Sequence, residues 1–371
     1  MKDLKTAIYG AGSIGKKLLK IFNKKNIKVD FFIDQYTDKT DLGGIPVYRL
    51  KDAPRDAVVF VAVVDSVSNN IPKSVMEIID DRYWFSSNVL LECGFFKVID
   101  FAGTLKQFPE VIKEFLEDEK LWWREEKNKM LNYQELEKMR ELLRDKESKD
   151  ILNKLVKFRE SFSYEFYPFP IKEVQYFPKE IIPRNWKEIN FVDVGAFTGD
   201  TLPWLFYFYE NKVKSVVCFE PAKENAIKLS STIERLKKLY PKTEFITVPA
   251  AVWDSEGFIG FDFKAAGSKV CEDSKNIVPL VTLDKVLSGY SPTYIKMDIE
   301  GAELEAIKGA EKLIKTAKPY LAISIYHKPE DLWQIPLFVS ERFSFYDLYI
   351  RVHGNFGLET ILYCVPKRDD F

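Results

Sequence analysis

The stretch Ile189-Asn-Phe-Val-Asp-Val-Gly-Ala-Phe-Thr-Gly-Asp-Thr201 is an apolar strand pattern that ends in Asp-x-Gly and continues into a helix start. A glycine turn at a strand end lets a ligand approach the backbone closely, and the free amides of the next helix face that ligand. Asp193, Gly195 and Gly199 form D-x-G-x-x-x-G, not the G-x-G-x-x-G that usually binds a dinucleotide pyrophosphate. The spacing therefore favours a nucleoside ligand without a pyrophosphate, such as S-adenosylmethionine.

The chain alternates between strands and helices from this stretch onward. We predict strands at residues 189–194, 214–219, 244–248, 293–298 and 319–326, and helices at residues 199–210, 222–239, 301–316 and 330–341. This alternation predicts an α/β fold with a doubly wound, Rossmann-like parallel sheet. Residues 345–352 and 358–365 are joined by a segment too short for a crossover, so they should form an antiparallel C-terminal hairpin. A parallel sheet with such a hairpin is the layout of S-adenosylmethionine-dependent methyltransferases.

Two further strand ends carry candidate cofactor residues. Glu220 follows an apolar strand one β-α-β step beyond Gly195, where an acid can bind ribose hydroxyls. Pro221 would occupy the first helical position. Glu220 could instead be a surface carboxylate stabilised by the helix dipole. The next strand end supplies Ala251 and Val252, whose small size would leave room for an adenine ring.

An acidic cluster ends the strand near residue 297 and supplies the candidate catalytic residues. Asp298 and Glu300 should lie in the crevice at the carboxyl edge of the sheet, and His327 ends the next strand at the same edge. We predict Asp298, Glu300 and His327 as catalytic, with His327 as a base because histidine titrates near neutrality. Glu303 is equally well explained by stabilisation of a helix start. We assign no metal: a divalent-cation site at Asp298, Glu300 and His327 is conceivable, but no spacing demands it.

The N-terminal part of the chain contains a second glycine turn. Gly10-Ala-Gly-Ser-Ile-Gly15 follows a short strand and matches G-x-G-x-x-G, and Asp34 ends the next strand. We predict a second nucleotide site at Gly10, Gly12, Gly15 and Asp34, with backbone amides on a diphosphate and Asp34 on a ribose. A structural domain that binds no ligand remains the alternative.

These patterns divide the chain into three parts. We predict a small Rossmann-like nucleotide-binding domain at residues 1–100, a helical connector at 101–180 and a methyltransferase domain at 181–371. The charge-rich helices of the connector could pack between the domains or pair with a second subunit in a homo-oligomer.

Composition limits the partners. The chain has 55 Lys plus Arg against 56 Asp plus Glu, so no overall field attracts nucleic acid or an anionic membrane. No apolar segment approaches the roughly 20 residues that span a bilayer. Four widely spaced cysteines fit reduced core residues. We therefore expect a cytoplasmic protein that binds neither nucleic acid nor membrane.

The C-terminal motifs resemble the FkbM family of S-adenosylmethionine-dependent O-methyltransferases. Phe191-Val-Asp-Val-Gly-Ala-Phe-Thr-Gly-Asp200, Phe219-Glu-Pro221 and Ile295-Lys-Met-Asp-Ile-Glu-Gly-Ala-Glu303 occur in the family's order and spacing, and the resemblance covers roughly residues 175–366. It implies methyl transfer to a hydroxyl of a carbohydrate or secondary metabolite, and a lead-in at Tyr176 that closes over the cofactor. The expected cofactor residues are Tyr176, Asp193, Gly195, Ala196, Gly199, Thr201, Glu220, Pro221, Ala251 and Val252.

The N-terminal unit is similar to the small Rossmann-like domain of some nucleotide-sugar-modifying enzymes. That resemblance implies a nucleotide or nucleotide-sugar ligand and a nucleotide-linked sugar as acceptor. Two alternatives remain open. One is an NAD(P)-dependent oxidoreductase that acts on a nucleotide sugar through residues 10–15 and Asp34, and the other is a non-catalytic nucleotide-binding protein.

Overall fold

The computed structural model describes residues 4–64, 86–118, 131–262, 269–270 and 277–367. Its strands are β1 Lys5–Tyr9, β2 Phe31–Ile33, β3 Asp41–Leu42, β4 Ile45–Tyr48, β5 Ala57–Val61, β6 Lys97–Ile99, β7 Ile189–Val194, β8 Val213–Phe219, β9 Glu244–Val248, β10 Ala251–Val252, β11 Gly257–Asp262, β12 Lys269–Val270, β13 Ile277–Val281, β14 Tyr294–Met297, β15 Tyr320–Ser324, β16 Tyr346–Val352 and β17 Thr360–Pro366. Its α-helices are α1 Ser13–Lys24, α2 Ser86–Glu92, α3 Phe101–Gln107, α4 Glu110–Asp118, α5 Tyr133–Leu142, α6 Lys146–Ser161, α7 Leu202–Tyr209, α8 Lys223–Leu239, α9 Leu283–Val286, α10 Glu303–Lys308, α11 Glu311–Ala317 and α12 Asp331–Arg342.

The C-terminal sheet has seven strands in the order β16-β17-β15-β14-β7-β8-β9. The five strands from β15 to β9 run parallel, and β17 pairs antiparallel with both β15 and β16. This arrangement confirms the α/β fold class, with its doubly wound sheet and C-terminal hairpin. Because β7 and β14 are neighbours, the two strand ends that carry the glycine turn and the acidic cluster lie side by side.

The N-terminal sheet has six strands in the order β3-β4-β2-β1-β5-β6. All pairs are parallel except β3 with β4, which form a hairpin across Gly43 and Gly44. Helix α1 buries Leu18, Ile21 and Phe22 in the core of this sheet. The small Rossmann-like unit predicted from the second glycine turn is therefore present.

The helices of the predicted connector divide between two hydrophobic cores. Phe101, Leu105 and Ile112 of α3 and α4 join the core of the N-terminal sheet. Leu136 and Leu155, on α5 and α6, join the core of the C-terminal sheet. The apolar face of each helix is thus buried as expected, while residues 119–130 of the predicted connector lie outside the described residues.

Two local expectations were wrong, and one small sheet was not predicted. The helix expected at residues 301–316 is two helices, α10 and α11, because the chain turns at Gly309, where a Cβ would lie 2.0 Å from the carbonyl oxygen of Trp253. Strands β10 to β13 form a small four-stranded sheet that the alternation pattern did not indicate. Pro221 precedes Ala222, the N-cap of α8, so it does not occupy the first helical position.

Among the described residues, none of the helices combines the length and the apolar character needed to cross a bilayer. Cys218 and Cys364 are buried and Cys93 is half-buried, and all three carry free thiols. Cys271 lies outside the described residues.

Candidate active site

The glycine turn after β7 makes close contact with the end of β14. Gly195 has φ +82°, and a Cβ at this position would lie 1.9 Å from the carbonyl oxygen of Asp298. The amides of Gly195 and Ala196 both donate to the carbonyl oxygen of Phe219, each at 3.0 Å. These two amides therefore hold the turn against β8, and a glycine is required for three strand ends to meet here.

The rest of the turn is packed rather than open. Gly199 has φ +78°, and a Cβ there would lie 2.9 Å from Cδ1 of Leu229 on α8. Ala196 is fully buried, and the N-cap residue Thr201 is nearly so. Phe197, with φ +48°, is the exposed residue of the turn. The predicted cofactor residues Ala196, Gly199 and Thr201 thus shape the turn, whose accessible side chain is Phe197.

Glu220 occupies the end of β8 and bonds the glycine turn. Its Oε2 accepts the amide of Phe197 at 2.8 Å, and its Oε1 accepts the amide of Ala222 at 2.8 Å. Burial raises the pKa of this carboxyl against the lowering effect of those amides. The interpretation of Glu220 as a surface carboxylate does not hold, because the residue is 6% exposed. Oε1 also accepts a hydrogen bond from Nδ2 of Asn225 at 3.4 Å, so Oε2 keeps a second lone pair for a ribose hydroxyl.

Asp193 and Lys296 form a buried ion pair between β7 and β14. The register places them directly opposite each other, and Nζ of Lys296 lies 3.0 Å from Oδ1 of Asp193. Lys296 also donates to the carbonyl oxygen of Gly195 at 2.6 Å. Burial raises the pKa of Asp193 to about 6. Burial opposes the charge of Lys296, but nearby aspartates outweigh it and raise its pKa, so the amine stays protonated.

Asp298 is held by an aromatic side chain from the segment before β7. The hydroxyl of Tyr176 donates to Oδ2 of Asp298 at 2.7 Å, and the backbone amide of Tyr176 donates to the hydroxyl of Tyr363 at 3.0 Å. Tyr176 has φ +69°, in the left-handed region. Burial opposes the charge of Asp298, yet Lys296 and His327 hold the pKa of this carboxyl below its usual range. The side chain predicted to close over the cofactor therefore orients Asp298.

His327 lies among three carboxylates at the same sheet edge. Its Nδ1 is 2.9 Å from Oε1 of Glu303, and its Nε2 is 3.4 Å from Oδ1 of Asp298 and 3.5 Å from Oε2 of Glu300. The same Oε1 of Glu303 accepts the amide of Ile299 at 2.8 Å. The three predicted catalytic side chains are thus brought together, with Glu303 as a fourth member.

The assumption that His327 titrates near neutrality was wrong. Burial lowers the pKa of the ring, but Glu303 and then Asp298 and Glu300 outweigh it and raise the pKa to about 10. The ring is therefore an imidazolium at pH 7 in this arrangement. Its role in catalysis stays a prediction, but it does not begin as a free neutral base.

Comparison with known proteins identifies the domain that carries this site. The family model of the FkbM methyltransferase domain matches residues 193–356, which span the glycine turn, the acidic cluster and His327. The chain carries an FkbM methyltransferase domain. This match confirms the resemblance seen in the sequence motifs and supports a methyltransferase function.

One solved structure among those compared shares the fold of this chain. A crystal structure of methyltransferase FkbM from Methylobacillus flagellatus KT superposes with a TM-score of 0.58 at 20% identity, covering 97% of this chain and 90% of that one. A SAM-dependent methyltransferase from Aquifex aeolicus gives a TM-score of 0.28 at 17% identity, covering 49% of this chain and 84% of that one. No curated protein matches the chain.

The remaining predicted cofactor residues of the FkbM domain lie near β8 and β13. Ala251 and Val252 form β10, which pairs in parallel with β13, and Val252 is 2% exposed. Pro221 is half-buried directly after Glu220. The backbone therefore places these residues beyond the ends of β8 and β9, and their contact with an adenine ring stays a prediction.

The second glycine turn is tied to Asp34. Oδ2 of Asp34 accepts the amide of Ala11 at 2.7 Å, and Oδ1 accepts the amides of Tyr36 and Thr37 at 2.8 and 2.9 Å. Burial opposes the charge of Asp34, but these amides lower its pKa. The carboxylate predicted to bind a ribose thus holds the turn to the end of β2. Binding of a nucleotide there stays a prediction.

The three glycines of this second turn have different surroundings. Gly10 has φ +103°, and a Cβ at Gly15 would lie 1.9 Å from the carbonyl oxygen of Gly10. A Cβ at Gly12 would meet nothing within 4 Å, so Gly12 is the open position of the turn. Packing therefore explains Gly10 and Gly15 without a ligand.

Sequence reasoning missed Lys296 and Glu359. Lys296 lies within a buried central strand, and a charged residue in such a strand is a signal that an ion pair or a ligand is present. Glu359 accepts a hydrogen bond from Gln175, which also donates to Tyr176 at 2.8 Å. Burial raises the pKa of Glu359 to about 7. No sequence spacing could have indicated it, because it lies in the hairpin connection.

Proposed function

We propose that the chain is an S-adenosylmethionine-dependent O-methyltransferase that acts on a hydroxyl of a carbohydrate or a secondary metabolite. The supporting observation is the close approach of Gly195 to the backbone of Asp298, which puts the glycine turn directly beside the acidic cluster. A methyl donor bound over the turn would present its methyl group to an acceptor held at Asp298 and His327. The FkbM family match supports the same reaction class.

The end of β8 would bind the nucleoside part of the donor. Glu220 accepts amides on both oxygens and is fixed in place before any ligand arrives, so the remaining lone pair of its Oε2 can accept a ribose hydroxyl. Phe197 is 41% exposed on the turn and offers an apolar face for the donor. The buried pair of Asp193 and Lys296 would position the glycine turn through its backbone, because Lys296 donates a hydrogen bond to the carbonyl oxygen of Gly195.

Negative charge around the cluster would attract the sulfonium of the donor and accept a hydrogen bond from the hydroxyl of the acceptor. Asp298 keeps its charge, and its side chain is 23% exposed while the Glu300 side chain is 40% exposed. Methyl transfer is an in-line displacement with a neutral thioether as leaving group, so alignment of acceptor and methyl supplies much of the rate enhancement. Asp298 would accept a hydrogen bond from the acceptor hydroxyl, orient its oxygen and take up the proton that the hydroxyl loses as the methyl ether forms. His327 would fix Asp298 from the other side.

The N-terminal unit supports a proposal for the class of acceptor. The N-terminal sheet with its glycine turn precedes the FkbM domain, and its Gly12 is open to a ligand. We propose that this unit binds a nucleotide or nucleotide-linked sugar, which would favour a carbohydrate acceptor. The exposed carboxylate of Glu300 could bind a sugar hydroxyl at the mouth of the site.

The test is methyl transfer measured with labelled S-adenosylmethionine and a panel of nucleotide sugars, free sugars and polyhydroxylated metabolites. The expected result is a methyl ether on one acceptor class, detected by mass spectrometry. In Asp298→Asn, binding of S-adenosylhomocysteine should persist while transfer falls by about 10²-fold or more. Equal turnover in Asp298→Asn would refute the role of Asp298, and donor binding without any transfer would favour a non-catalytic nucleotide-binding protein.

A further inference from the structure

Three side chains of the acidic cluster have the spacing of a cation site. Asp298, Glu303 and His327 each offer one ligand atom, and these atoms all lie within 4.8 Å of one another. Two ligands of a single cation, each about 2.0 to 2.5 Å from it, are separated by no more than about 5 Å. The three atoms therefore fit around one ion with small side-chain adjustments.

Two atoms of this cluster lack hydrogen-bond partners. Within the described ranges, Oε2 of Glu303 and Nε2 of His327 are buried and accept or donate no hydrogen bond. The Glu303 side chain is fully buried, and that of His327 is 7% exposed. A buried polar atom without a partner costs about 1–3 kcal/mol, and more when it carries charge. Such atoms are therefore expected where another group completes their coordination.

The charge balance of the cluster points the same way. Asp298, Glu300 and Glu303 surround the single His327 ring. Lys296, whose charge lowers the pKa of Asp298, already pairs with Asp193 at 3.0 Å. Three carboxylates facing one ring leave an excess of negative charge that a divalent cation would neutralise.

We infer that Asp298, Glu303 and His327 bind a divalent cation of the Mn²⁺ type at the acceptor end of the site. Carboxylate oxygens suit Mn²⁺ and Mg²⁺, and an imidazole nitrogen shifts the preference toward the transition metals. Because a metal binds only a neutral imidazole, the cation would displace the proton of the His327 ring into solvent. Three protein ligands leave positions for water and for one oxygen of the acceptor. Glu300, 3.5 Å from Nε2 of His327, stands beside the ion at the mouth of the site.

The cation would act on the acceptor hydroxyl, and this part of the inference rests on the proposed function. A bound divalent ion stabilises the developing oxyanion and lowers the pKa of a coordinated hydroxyl. It would also align the oxygen with the methyl group. Cation binding itself is independent of methyl transfer and can be measured without an acceptor.

The experiment is a titration of the full-length protein with MnCl₂, in which free Mn²⁺ is followed by electron paramagnetic resonance. One saturable Mn²⁺ per chain is expected. Affinity should fall about tenfold or more in Glu303→Gln and in His327→Gln, as is typical when a ligand is lost. Glu311→Gln, which removes a half-buried carboxylate paired with Lys315 and Arg342, is the matched control and should bind as the parent does.

Two checks keep the outcome decisive. Calorimetric binding of S-adenosylhomocysteine and far-ultraviolet circular dichroism show whether each variant is folded. If Glu303→Gln does not fold, Asp298→Asn, whose side chain is part-exposed, serves in its place with the same expectation. Absence of saturable Mn²⁺ binding, or equal affinity in the variants and the control, would overturn the inference. Mn²⁺ binding without donor binding would keep the cation site and refute the proposed function.

Discussion

Lys296→Met tests the buried ion pair that joins the two strand ends of the site. The substitution keeps the length of the side chain and removes its charge, which leaves Asp193 without a partner in a fully buried position. At 3.0 Å and an effective dielectric of about 20, the attraction is about 5 kcal/mol. The hydrogen bond to the carbonyl oxygen of Gly195 adds about 1 kcal/mol. Since the free amine regains its hydration in the unfolded chain, we expect a net loss of about 3–5 kcal/mol in the free energy of unfolding.

The assay is equilibrium urea unfolding followed by tryptophan fluorescence. Without Lys296 the pKa of Asp193 should rise above its present value of about 6, so Asp193 takes up a proton on folding. A carboxyl whose pKa is higher in the folded state loses stability as pH rises, so the loss of stability relative to the parent should be larger at pH 7 than at pH 5. The double variant Asp193→Asn with Lys296→Met should recover most of the loss. A loss below about 1 kcal/mol in the single variant, or additive losses in the double variant, would refute the pairing.

Three other predictions concern the hairpin and the two glycine turns. Burial lowers the pKa of His353 to about 3. Below pH 6.5 the unfolded chain therefore takes up a proton at His353 that the folded chain lacks. This difference should lower the free energy of unfolding by about 2 kcal/mol at pH 5. His353→Gln should remove this contribution to the pH dependence of stability, measured by chemical unfolding at pH 7 and pH 5. An unchanged pH dependence would contradict the low pKa of His353. Gly195→Ala should lower the free energy of unfolding by more than about 2 kcal/mol in the same assay, because its Cβ would lie 1.9 Å from the carbonyl oxygen of Asp298. A smaller decrease would mean that the ends of β7 and β14 can move apart. Asp34→Asn should destabilise the N-terminal sheet by about 1–2 kcal/mol in thermal unfolding and leave the affinity for S-adenosylmethionine within about twofold, since Asp34 accepts three amides of its own domain.

The parts of the fold that the sequence predicted well are those that depend on local pattern. The Asp-x-Gly stretch at residues 191–200 and the short hairpin connection are each set by about ten residues or fewer. The alternation of strands and helices is a succession of similarly local patterns. Asp298 and His327 could be placed at one edge because parallel strands end on the same side of a sheet. Their mutual contact followed from topology alone.

The features that could not be predicted depend on register and on tertiary contact. Lys296 lies opposite Asp193 only in the observed register of β7 and β14. Two strands of the β10 to β13 sheet have only two residues each, and β11, Gly257-Phe-Ile-Gly-Phe-Asp262, lacks the alternation of polar and apolar residues that indicates a strand. Similarly, the acids around His327 raise its pKa to about 10, a result that depends on distances no sequence spacing encodes.

The measurement that tests the central claim most directly is calorimetric titration of S-adenosylmethionine and of NAD into the parent protein and Glu220→Gln. The parent should bind one S-adenosylmethionine and no NAD at the FkbM domain. Glu220→Gln should weaken that binding about tenfold, because its amide offers one acceptor oxygen where the carboxylate offers two. Tight NAD binding without any heat from S-adenosylmethionine, or equal affinity in Glu220→Gln, would contradict the assignment of the glycine turn and Glu220 to the methyl donor.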